Sequence, residues 1–119
     1  MNHSEYVDPE APSRLEGWGG RKLVQQMIRL FLENSPERMA QIREGVRTNT
    51  ADPALRGAHS LKSTAANLGA MRLSGLAKLV EEAAEDGDVD RVRTLLPEIE
   101  SVYQGSCEAL AAIEGEYLE

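Results

Sequence analysis

The sequence predicts an all-α fold, an antiparallel four-helix bundle with an additional N-terminal helix across one end. Apolar residues recur at three- and four-residue spacing through five segments, and no stretch alternates apolar and polar residues as a half-buried strand would. The links between segments are short, which forces antiparallel returns. At 119 residues the chain can close one compact core, but not separate catalytic and cofactor domains.

Residues 1–17 mix charge with two prolines and show no sustained period, so they are expected to be a mobile tail ahead of a bundle domain spanning 18–117. His3 falls in that tail and receives no role. Trp18-Gly19-Gly20 reads as a break before a first helix over residues 21–33, where Leu23, Val24, Met27, Ile28, Leu30, Phe31 and Leu32 cover more than half the circumference. So apolar a helix needs cover on two sides, from the other helices or, at its outer edge, from a docking partner. Ser35-Pro36-Glu37 then reads as N-cap, first helical position and an acid favourable to the dipole. Met39, Ile42 and Val46 mark the inward stripe of that second helix, which ends near Thr48.

Asp52-Pro53 offers an N-cap and first position for a third helix, and Gly69 either ends that helix or sits in a tight corner. A new stripe follows in Leu73, Leu76, Ala77, Val80, Ala83 and Ala84, stopped by Gly87 with Asp88 as the next N-cap. Val92, Leu96, Ile99, Val102, Tyr103, Leu110 and Ile113 continue it, and Pro97 is expected to kink or split this last helix.

A formal charge of −7 and a pI near 4.9 argue against a nucleic-acid partner, which would call for a basic stripe. No apolar run approaches the roughly 20 residues of a membrane span, and no basic-then-apolar leader opens the chain. The expectation is therefore a cytoplasmic protein with no membrane partner, acting as a monomer. Its one cysteine, Cys107, has no disulfide or metal-ligand companion and reads as a small packing residue.

The helix around residues 54–68 carries the candidate chemistry. With Leu61 at zero and roughly 100° per residue, Ala54, Ala58, Leu61, Ala65 and Leu68 share the core sector and His59 lies at about 160°. Beside His59 fall Leu55, Arg56, Lys62, Ser63 and Ala66. A lone histidine on a helix is most often a plain surface residue. Here small and apolar neighbours bordered by Lys62 and Arg56 suit an imidazole that must carry an anion while another protein approaches.

His59-Ser60-Leu61-Lys62-Ser63, Asn67-Leu68-Gly69-Ala70, then Leu73, Leu76, Ala77, Val80 and Glu81 resemble the histidine-containing phosphotransfer (HPt) family, from near Trp18 into the last helix. The resemblance implies the bundle fold and a phosphorelay intermediate that passes a phosphoryl group between His59 and receiver-domain aspartates. It implies that Lys62 stabilises the phosphoryl oxygens, that Glu81 orients the imidazole from the next helix, and that Leu55, Arg56, Ser63 and Ala66 meet the partner. Response-regulator receiver domains would be the partners, with a histidine kinase as a further one, and the magnesium ion would sit on the receiver. This chain is expected to hold no cofactor and no metal.

Three departures stand out: Glu81 where glutamine is frequent, Ser63 where glycine is commonest, and Glu85 where a basic residue is frequent. No nucleotide-binding loop accompanies His59, so the chain is expected to be a phosphocarrier without kinase or ATPase activity of its own. Two other readings stay open. One is an acceptor domain of a larger hybrid or chemotaxis-type kinase, and the other is a degenerate bundle that only scaffolds.

Overall fold

A computed structural model describes residues 3–118. A single 3-10 turn, His3–Glu5, precedes four helices: α1 Glu10–Thr48, α2 Ala51–Asn67, α3 Met71–Glu85 and α4 Val89–Tyr117. No strand forms among the described residues. Each helix packs on the next and α4 closes against α1, so the expected all-α bundle is what forms, around one core.

The three links between helices share one chemistry. Each helix ends on a residue in the left-handed region, Asn49 (φ 55°), Gly69 (φ 80°) and Gly87 (φ 71°). At each, the N–H of that residue and the N–H of the next turn back onto the last carbonyls, as when Gly69 donates to Ala66 at 3.0 Å and Ala70 to Ala65 at 2.9 Å. This double closure satisfies carbonyls that the helix end leaves open and reverses the chain within two or three residues. Gly69 answers both sequence readings, because it ends α2 and forms a close corner. Asp88 caps α4 as expected, its carboxylate accepting from the Arg91 N–H at 3.0 Å.

Four expectations need correction. Residues 4–17 are not a mobile tail: Val7, Ala11 and Leu15 are buried, and Asp8 N–H donates to the Gly69 carbonyl at 2.9 Å. Met1 and Asn2 lie outside the described residues. Gly20 is non-helical inside α1, so residues 10–19 form a helical segment whose start lies against the α2–α3 corner at Gly69, whereas residues 21–48 run on as one bundle helix.

Nor does Ser35-Pro36 restart the chain. Ser35 points inward with its Oγ 2.9 Å from the Tyr103 hydroxyl, and α1 runs on with Pro36 on its exposed side. On that side the proline ring lies toward solvent rather than in the packed core. Burial drives the Tyr103 hydroxyl up to about 12, so it stays protonated in this contact.

Pro97 likewise leaves α4 unsplit, because it too faces out. Finally, α2 begins at Ala51 after an extended Thr50, so Asp52 and Pro53 occupy its first turn rather than its cap. Proline is tolerated there because the first N–H groups have no partner within the helix. Cys107 is half-buried against the core, which raises its thiol pKa by desolvation.

Candidate functional site

The five residues assigned to the core sector, four in α2 and Leu68 just beyond its end, are buried, and this sets the opposite face outward. Gly57 lets α2 approach α1 closely, since a Cβ there would lie 2.4 Å from the Arg38 carbonyl oxygen. On its other flank α2 meets α3, where the Ser74 hydroxyl donates to the Lys62 carbonyl at 2.9 Å. That contact fixes the register that brings α3 side chains under His59.

The His59 side chain is 68% exposed, and its Nδ1 lies 2.5 Å from Glu81 Oε2. Glu81 comes from the edge of the α3 core stripe, next to buried Val80 and Ala77, and its side chain is only 10% exposed. The other oxygen of the same carboxylate, Oε1, accepts from Lys62 Nζ at 2.6 Å. The Lys62 side chain is 33% exposed. A carboxylate this enclosed needs partners for its charge, and it has two, one on each oxygen. The Lys62 ammonium, with a further contribution from the His59 contact, outweighs burial and holds the Glu81 carboxyl below its ordinary range.

Because Glu81 is ionised it can only accept, so the Nδ1 facing it carries the ring proton and the lone pair falls on Nε2. In that tautomer of the neutral ring, Nε2 bears the available lone pair. This tautomer follows from the hydrogen-bond partner.

The remaining sequence-predicted residues surround the imidazole. Arg56, Ser63 and Ala66 are exposed, and Leu55 is half-buried, packed on the edge of the core. Neither bordering cation stands alone. Arg56 is ion-paired to Asp52 one turn back, and Lys62 to Glu81. The Asp52–Arg56 spacing of four residues is a signal that could have revealed the first pair. Nothing local to α2 reveals the second. On the α1 side of α2, a groove of about 300 Å³ runs between Met27, Leu30 and Phe31 and the α2 residues Ser60, Thr64 and Asn67. Leu30, 57% exposed, is the open part of the first helix's apolar surface.

Among the described residues no group of three or more His, Cys, Asp or Glu side chains converges as a metal site would. No helix among them is long and apolar enough to cross a membrane.

Comparison with known proteins gives the family and the fold. A family model described as Hpt domain matches residues 26–113, most of the chain, with both α2 and α3 inside the match. The chain belongs to the Hpt domain family, and that membership carries a histidine phosphotransfer role in a phosphorelay. Its fold is similar to the crystal structure of histidine-containing phosphotransfer protein B (HptB) from Pseudomonas aeruginosa PAO1. The TM-score is 0.86 at 22% identity, over 95% of this chain and 97% of that one. A search of the curated proteins finds no match.

Proposed function

We propose that His59 is the phosphoacceptor, taking a phosphoryl group from the aspartyl phosphate of a response-regulator receiver domain and giving it to another. The observation that carries this reading is the exposed imidazole whose Nδ1 is held by a nearly buried carboxylate.

Nε2 attacks phosphorus in line with the departing aspartate oxygen. The N–P bond forms as the O–P bond breaks, and the aspartate leaves as a carboxylate. Nε2 carries no proton, so none has to leave. The positive charge that develops on the ring is delocalised toward Nδ1, where Glu81 stands to offset it. The reverse step follows the same path, which suits a carrier.

Lys62 is close enough at i+3 to reach the phosphoryl oxygens, and its tie to Glu81 keeps the ammonium on the His59 side of α2. The receiver supplies the magnesium ion and the acidic pocket. It covers Leu55, Arg56, Ser63 and Ala66, side chains small or movable enough for a close approach. The exposed Leu30 extends an apolar surface along α1 for the same partner. The reading places the chain in the cytoplasm, where receivers act, with a histidine kinase as a further partner.

The test is to incubate the chain with a phosphorylated receiver and, separately, with a histidine kinase domain plus ATP. Label from the receiver supports the relay reading. Label from the kinase alone points to an acceptor domain of a kinase, and no label from either points to a scaffold. The label should be acid-labile and absent from His59→Gln, whose helical content should match the wild type because the side chain faces out.

A further inference from the structure

Residues 3–19 meet the bundle through two fitted contacts. Ala11 sits where a side chain on Gly69 would be, 2.5 Å from its Cβ position, and the Tyr6 ring fills the equivalent space at Gly105, 2.4 Å away. Val7, Ala11 and Leu15 are buried by this docking, and Arg72 holds the outer side by pairing with Glu5 at 3.1 Å and lying over the Tyr6 ring.

The segment joins the bundle through one residue. Gly20 is the non-helical position inside α1, at φ 79° and ψ −179°, a conformation essentially confined to glycine. Were Gly20 helical, the 39 residues of α1 would form one rod of about 58 Å, against a longest molecular dimension of 45 Å. The N-terminal segment would then project from the bundle, baring Val7 and Leu15 and emptying the spaces at Gly69 and Gly105. The same segment of another copy fits those spaces by construction.

We propose that residues 3–19 are a clasp hinged at Gly20, which a second copy of this chain can supply in place of its own, giving a closed two-fold exchanged dimer. The closed clasp is the monomeric form. Straightening at Gly20 is the step between the two forms, and both bury the same residues.

Light scattering on eluting Gly20→Ala tests the exchange, because alanine disfavours the bent hinge and favours the helical one. At equal total concentration the dimer-to-monomer ratio should rise by about tenfold or more over wild type. Adding Val7→Asp to Gly20→Ala should abolish the dimer by spoiling the docked face. Wild-type protein refolded from denaturant should show a dimer fraction that grows with the concentration at refolding. A folded Gly20→Ala that stays monomeric, a dimer that survives Val7→Asp, or a wild type wholly monomeric after concentrated refolding would each overturn the proposal.

Discussion

Glu81 serves two partners with two oxygens, and this makes it harder to replace than an orienting residue alone. In Glu81→Gln one carboxylate oxygen becomes an NH2 group, so either the imidazole N–H or the Lys62 ammonium faces a donor. Phosphotransfer should slow, and Lys62 should lose its fixed position. Lys62→Ala should slow transfer by about one to two orders of magnitude through the loss of one charge-stabilising contact. The same change removes the largest cause of the depressed Glu81 pKa, so an NMR titration should find that pKa raised relative to wild type. An unmoved Glu81 titration would mean that the ammonium is not its partner in solution.

The carboxyl also links the site to stability. Folded Glu81 holds its proton less tightly than the unfolded chain does, so its contacts stabilise the fold above the unfolded value of about 4.3. That contribution fades as pH falls through the lower folded value. Melting curves of wild type and Glu81→Gln should therefore differ at neutral pH and converge in acid. Of this site, the outward placement of His59 was legible from helical spacing alone. The Lys62 tie was not, since a helical wheel counts neighbours on one helix and Glu81 arrives from another.

At the scale of the elements, the glycine stops at Gly69 and Gly87 and the Asp88 cap form as their sequence chemistry predicts, whereas the starts predicted at Ser35 and Asp52 do not. Gly69 is constrained by its positive φ and by Ala11 against it, so Gly69→Ala should destabilise by about 1–3 kcal/mol and lower the melting temperature by several degrees. An unchanged melt would contradict the close packing of the N-terminal segment on that corner.

The prolines show the opposite case. Ser35-Pro36-Glu37 carries the same local signal whether a helix starts or continues, and the contact of Ser35 with Tyr103, 68 residues away, decides it. The N-terminal segment reads from sequence as a tail, although Val7, Ala11 and Leu15 stand at four-residue spacing. Two prolines and several charges obscured so short a stripe, and its partners, Gly69 and Gly105, lie far along the chain.

For the whole molecule, the bundle sets α2 and α3 side by side, with His59 outward on α2 and Glu81 reaching it from α3. The core lies on the far side of α2 from His59, so the two can be altered separately. Ser63→Arg and Ala66→Glu should leave the melting temperature near that of wild type while weakening receiver binding by about 1 kcal/mol or more, read by titration with a cognate receiver. Unchanged affinity would place the docking surface elsewhere. The most direct measurement is nitrogen-resolved NMR of the chain after phosphorylation by a receiver. It should show one phosphohistidine, at His59, with phosphorus on Nε2 and Nδ1 still protonated against Glu81. Phosphate on Nδ1, on His3 or on no histidine would contradict the account.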